Sequence, residues 1–211
     1  MIVVTGAARG ICRAMAIRFK AEGAKQIIAV DINIDGAQAT AEMIGGIAMS
    51  ADVSNEGDIL RVIQETGNTI GPIDLFCSNA GVGMGESINS PNKEWQMSWD
   101  INVMSHIYAA RHLLPLMVAR GGGYFLNTSS AAGLLNQIGG AAYGVTKHAA
   151  VGFGEWLAIH HKHEGIKVSM LCPQAVRTAM TDNDNDATAA AASNGMIEPE
   201  ELCETVVEGL R

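Results

Sequence analysis

The chain is poor in charge, in aromatic rings and in proline, and its cysteines are unpaired in sequence. Charged residues make up 17% of the 211 positions and aromatic residues 5%. Lys and Arg number 14 against 22 Asp and Glu, a net charge of −8. That balance lacks the clustered cations a nucleic-acid phosphate backbone requires, so no nucleic-acid partner is expected. Cys12, Cys77, Cys172 and Cys203 are scattered with no C-x-x-C pair, which excludes a disulfide framework and a cysteine zinc site. His160, His161 and His163 cluster around Lys162 without a carboxylate or thiol at ligand spacing. They read as a solvated helix end, and no metal is expected. No apolar run approaches about 20 residues, and no basic segment followed by a long apolar one opens the chain. The expectation is a soluble cytoplasmic protein with no membrane partner.

What remains is an apolar, glycine-rich chain: 48% hydrophobic, with 24 glycines against five prolines. Short β-rich runs alternate with helical patterns. Residues 2–4, 26–30, 47–50, 74–77, 124–127 and 167–171 read as strands. Residues 11–21, 35–44, 55–69 and 143–163 read as helices, the last closed by Gly165, and another starts near Pro199. Trp95, Trp99, Asn102, His106, Ala110, Leu113 and Met117 fall on one helical stripe, with Pro115 as an expected kink. Such β–α alternation predicts an α/β fold, a Rossmann-like doubly wound parallel sheet with helices on both faces. Residues 1–211 contain no linker or repeat and read as one domain. The low-complexity stretch 182–194, an Asp/Asn run and then an alanine run, reads as a mobile lid or a solvated loop, and composition favours the loop.

Between the first strand and the first helix stands Thr5-Gly6-Ala7-Ala8-Arg9-Gly10-Ile11-Cys12. Glycines there allow a sharp turn and close approach to a diphosphate, and the helix start supplies free N–H groups and a positive dipole end. Asp31 closes the second strand about twenty residues beyond the turn, where a carboxylate accepts both hydroxyls of an adenosine ribose. The same carboxylate repels a 2′-phosphate, so NAD(H) is expected over NADP(H). Arg9 pulls the other way, being a basic residue within reach of such a phosphate.

Lys147 follows Tyr143 by four residues, so phenol and ammonium share a helix face. A fixed cation is expected to lower the phenol's pKa from near 10 toward the working range. Ser130, thirteen positions before Tyr143, follows a strand and can offer its hydroxyl to the same substrate oxygen.

Together these residues resemble the short-chain dehydrogenase/reductase superfamily, in its single-domain branch. The resemblance rests on the T-G-x-x-x-G turn, Asp31, Asp52-Val53, Asn79-Ala80-Gly81, Asn102, Ser130 and Tyr143-x-x-x-Lys147, and covers nearly the whole chain. It implies strand order 3-2-1-4-5-6 and hydride transfer between NAD(H) and an alcohol or carbonyl compound. Tyr143 would be the acid/base. Lys147 would lower its pKa and bind the nicotinamide ribose, Ser130 would hold the substrate oxygen, and Asn102 would fix a water linking Lys147 to solvent. Gly6, Arg9, Gly10, Ile11, Asp31, Asp52, Val53, Asn79, Ala80, Gly81 and Thr178 would contact the cofactor, Asp52 and Val53 beside the adenine and Thr178 at the nicotinamide amide. A homodimer or homotetramer is implied, formed through the long helices.

Departures from the pattern carry their own expectations. Cys12 replaces the third turn glycine, Ser78 the first asparagine of N-N-A-G, and Gln174 the glycine after Pro173. Cys12 should shift the helix slightly or weaken cofactor binding, Ser78 should keep part of the hydrogen bonding, and Gln174 should narrow the pocket mouth or add a polar contact there. The chain stops at Arg211, before the family's seventh strand and tail, and reads as truncated at that end. The alternatives are an NADPH-dependent 3-oxoacyl reductase of the same family and a catalytically impaired dinucleotide-binding protein.

Overall fold

Buried on both faces, the central strands of a parallel sheet must be apolar along most of their length, and Ile2–Thr5 (β1), Ile27–Asp31 (β2) and Leu75–Ser78 (β4) meet that demand, each ending in a polar residue at the C-terminal edge. In the computed structural model, which describes residues 1–182 and 186–211, they pair in register, Val3 with Ile28 on one side and with Phe76 on the other. Ile47–Ser50 (β3) borders β2; Gly123–Thr128 (β5) and Ile166–Leu171 (β6) extend the sheet beyond β4. The order is β3-β2-β1-β4-β5-β6, all parallel, as the resemblance implied.

Helices cover both faces. Val3, Ile28, Phe76 and Phe125 pack against Glu56–Thr69 (α3), Ser105–Ala119 (α5) and Ala141–His161 (α7) through Ile59, Val62, Leu113, Met117 and Leu157. The alternate strand residues Val4, Ile27, Ala29 and Leu126 pack against Gly10–Ala21 (α1), Ile34–Ile44 (α2) and Pro199–Leu210 (α9) through Met15, Phe19, Ala41 and Val206. The side chains of Asn33 and Asn55 cap α2 and α3 by accepting from the amides of Gly36 and Gly57.

Two expectations fail. Asn92–Trp99 (α4) does not run straight into α5; a π turn, Asp100–Met104, stands between them. The extra residue rotates the helix face, so Trp99 is 40% exposed while Ser98 and Asn102 are fully buried. The stripe therefore holds from Asn102 to Met117 but not through Trp99. The helix runs on past Pro115 to Ala119. The alanine run is not a loop: Asp186–Ala191 (α8) is helical and Ala192–Asn194 forms a 3₁₀ turn. Residues 183–185 of that stretch lie outside the described residues. The last helix to be named, Ala132–Leu135 (α6), is one short turn after β5.

Candidate active site

The C-terminal ends of β1, β4 and β5 meet in a network of short polar side chains. The Thr5 hydroxyl donates to the Cys77 carbonyl (3.2 Å) and accepts from the amide of Asn79 (3.0 Å), sewing β1 to the segment after β4. Thr128 Oγ1 donates to Asn79 Oδ1. Lys147 Nζ donates to the Thr128 carbonyl at 3.1 Å, and Ser129 Oγ donates to the Lys147 carbonyl at 2.8 Å, so α7 is tied to the end of β5 twice.

Ser130, Tyr143 and Lys147 come together in this corner. Ser130 Oγ accepts from the amide of Ala132 (3.1 Å) and donates to the Pro173 carbonyl (3.5 Å), near enough to the Tyr143 phenol to act on it. Lys147 Nζ lies 5.5 Å from the Tyr143 ring centroid. Burial pushes the Lys147 ammonium down to about 8. Burial also raises the Tyr143 phenol above its ordinary 10, and the Ser130 hydroxyl only partly opposes it. The phenol is therefore raised where a lowering by Lys147 was expected, with desolvation the largest cause.

Asn102 is fully buried and its carboxamide is spent on protein. Oδ1 accepts from the Val82 amide (2.9 Å), while Nδ2 donates to the Val82 carbonyl (2.9 Å) and to Thr146 Oγ1 (3.1 Å). It clamps the segment after β4 to α7. Gly81 fits beneath this clamp because a Cβ there would stand 3.2 Å from Asn102 Oδ1 and 3.3 Å from Lys147 Nζ. Thr146 and Thr5 were not anticipated. A buried Asn requires a partner on the facing helix, and that requirement points to Thr146.

The glycine turn has the form a dinucleotide needs. Gly6 (φ 74°) occupies a left-handed conformation where a Cβ would also press on Ala80 Cα at 3.1 Å. The α1 N-terminus has no side-chain cap and no acid in its first turn, leaving its first amides for an anion. Asp31 is held beside it: Oδ2 accepts from the Ala8 amide and Oδ1 from the Asn33 amide, both 2.9 Å. Thr178 Cγ2 stands 3.3 Å from where a Gly10 Cβ would be, so Thr178 overhangs the turn. Gly10, Ile11, Ala80 and Gly81 line the same edge half-buried, and Arg9 is exposed. These residues fit a nicotinamide dinucleotide. Asp52 is engaged locally, accepting from the amide and hydroxyl of Ser54, and Val53 is buried in the core.

The departures resolve differently. The Cys12 thiol tucks against Gly6, 3.1 Å from where a Cβ would be, and burial pushes it up to about 12. Gln174 is exposed and donates to the Ala191 carbonyl (3.0 Å), tying the exit of β6 to α8. Ser78 does not keep side-chain hydrogen bonding: among the described residues its buried hydroxyl has no partner, and neither do Asn127 Nδ2 and the two ring nitrogens of His106. Among the described residues, His161 pairs with Glu164 and His160 stacks on Trp156 at 4.4 Å.

A model of the short chain dehydrogenase family matches residues 1–189. The chain belongs to the short chain dehydrogenase family. Family members are oxidoreductases that bind a nicotinamide dinucleotide and act on alcohols or carbonyl compounds. The chain is 28% identical to human epidermal retinol dehydrogenase 2, over its whole length and 70% of that protein, and spans 61% of the mouse protein of that name. It is 31% identical to Xenopus laevis carbonyl reductase family member 4, over 97% of this chain and 88% of that one. A Burkholderia phymatum short chain dehydrogenase/reductase solved with NAD shares the fold at TM-score 0.89 and 24% identity, covering 99% of this chain and 84% of the other. Among the described residues of the short chain dehydrogenase, no helix is long and apolar enough to cross a membrane.

Proposed function

We propose that this protein is an NAD(H)-dependent alcohol dehydrogenase or carbonyl reductase in which Tyr143 is the general acid/base. The observation carrying this reading is the convergence of Ser130, Tyr143 and Lys147 beside a glycine turn whose neighbouring carboxylate, Asp31, is held by two backbone amides. The nicotinamide, when bound, supplies or accepts the hydride at the substrate carbon. Ser130 donates its hydroxyl to the substrate oxygen. At neutral pH the buried Tyr143 phenol keeps its proton, the state needed to protonate a carbonyl oxygen. In the oxidative direction the Lys147 ammonium must offset that burial. Asn102 acts by positioning, holding Val82 and Thr146 around Lys147.

Gly6, Gly10 and Ile11 would hold the diphosphate and Asp31 the adenosine ribose. Asp52 and Val53 would flank the adenine, Asn79 to Gly81 line the cleft, and Thr178 meet the nicotinamide amide. Asp31 favours NAD(H). The exposed Arg9 favours the second reading, an NADPH-dependent 3-oxoacyl reductase. Comparing NADH with NADPH consumption tests the choice, and a clear NADPH preference overturns it. A purely binding protein is the third reading; absence of turnover across a broad alcohol and ketone screen would support it.

We read residues 1–211 as one catalytic domain of a cytoplasmic homo-oligomer. Trp99, Leu116, Trp156 and Ile159 are 40%, 53%, 48% and 76% exposed along α4, α5 and α7, an apolar surface suited to a second copy. Sedimentation velocity tests this; a monomer at micromolar concentration would contradict it.

A further inference from the structure

Two segments approach Tyr143 from solvent. One runs from Ser130 to Tyr143 itself. The other follows β4 and includes residues 83–91. They are joined at the start of α7, where the amides of Ala141 and Ala142 donate to the carbonyls of Glu86 (3.2 Å) and Gly85 (2.9 Å). The join is tight: a Cβ on Gly85 would come within 2.6 Å of Ala142 Cβ. The two segments therefore form a shared rim at the first turn of α7, the turn that carries Tyr143.

That rim is apolar where solvent reaches it. Leu134, Leu135 and Ile138 are 57%, 84% and 68% exposed, and Ile88 on the adjoining segment is 87% exposed. Between Ser130 and Tyr143 there is no Asp, Glu, Lys or Arg. Bulky aliphatic side chains left in water on two joined segments suit a surface that a ligand covers. Charge narrows the ligand further. The depression beside the rim, about 460 Å³, carries Glu86 and Glu94 as its charged residues, and the whole chain bears −8. An anionic substrate would meet like charge there.

We infer that the substrate is a neutral secondary alcohol or ketone whose hydrocarbon portion lies across Leu135, Ile138 and Ile88 while its oxygen reaches Ser130 and Tyr143. This rests on the dehydrogenase reading and adds the substrate class to it. Short polar alcohols and phosphorylated or carboxylated ketones fall outside the class.

The test uses the full chain with NADH and two series of ketones matched in length, one ending in methyl and one in carboxylate. In the neutral series kcat/KM rises roughly two- to fourfold per added methylene until the rim is covered, the ratio that burying a methylene supplies. The carboxylate series stays at least about tenfold lower at each length. Leu135→Ser and Ile138→Ser, both at exposed positions, raise KM for the longer neutral ketones about fivefold or more. They leave the kcat for the shortest ketone and the Kd for NADH unchanged.

A flat response to length, or a preference for the carboxylate series, overturns the inference while leaving the dehydrogenase reading intact. Equal losses on short and long ketones in Leu135→Ser also overturn it. So does self-association that vanishes in Leu135→Ser with KM unmoved, since a second copy would then be the occupant. Should no ketone turn over, binding of the longest neutral ketone is measured directly by titration calorimetry. Binding weakened by Leu135→Ser upholds the apolar rim and sinks only the dehydrogenase reading; no binding sinks both.

Discussion

Asn102 donates its carboxamide to the hydroxyl of Thr146 across 3.1 Å, joining the π turn to α7 one residue before Lys147. The same hydroxyl donates to the Tyr143 carbonyl at 3.0 Å. Thr146 thus relays the position of the segment after β4 to the turn of α7 that carries Tyr143 and Lys147.

Replacing Thr146 by Val keeps the shape and removes the acceptor. Asn102 Nδ2 retains only the Val82 carbonyl, so about 1 kcal/mol of stability is lost. Urea denaturation measures it. Because Lys147 is positioned through this contact, kcat falls several-fold with KM for NADH little changed, and Thr146→Ser restores it.

Lys147 is an expensive residue to bury. Its folded pKa near 8 lies below the ordinary 10.5, so stability is fully present above 10.5 and is lost as pH falls through 8. At pH 7 the charge costs roughly 3 kcal/mol. Lys147→Met recovers that and gives up about 1 kcal/mol with the Thr128 hydrogen bond, so the inactive variant is more stable by about 2 kcal/mol. Parallel denaturation curves check this, and the gap closes as pH rises from 8 to 10.5.

His106 gives a second pH dependence. Burial first, and then the Lys147 ammonium, push its imidazole down to about 4. The unfolded chain binds this proton near 6.5, so the stabilising contribution is present above pH 6.5 and disappears as pH falls toward 4. Wild type should lose roughly 3 kcal/mol more than His106→Gln across that window. Equal slopes in the two proteins would contradict the buried neutral imidazole.

Asp31→Ser should exchange cofactors. Removing the carboxylate leaves the exposed Arg9 of the same turn as the nearby charge, so the NADPH-to-NADH ratio of kcat/KM rises by at least about tenfold. Fluorescence titration of both cofactors reads the same change as binding. An unchanged ratio would place Asp31 away from the ribose.

Most of the fold was legible because the central strands are buried on both faces and so read as unbroken apolar runs, Ile2-Val3-Val4 being the plainest. The juxtaposition of Ser130, Tyr143 and Lys147 was legible from their types and spacing. What spacing omits is desolvation: a Tyr–Lys pair predicts a lowered phenol, whereas burial of the Tyr143 ring wins. Helical periodicity likewise assumes 3.6 residues per turn, so the π turn at Asp100–Met104 misplaced Trp99. The alanine run of α8 was hidden by the Asp/Asn composition before it. Ser78 reads as a polar substitute in sequence, yet its short hydroxyl reaches no partner among the described residues.

The role of Tyr143 is tested most directly by steady-state oxidation of NADH with neutral ketones in wild type and Tyr143→Phe. Turnover in wild type, a kcat at least about 100-fold lower in the variant, and an unchanged Kd for NADH are the predicted results. Equal turnover in the two proteins would contradict Tyr143 as the proton donor.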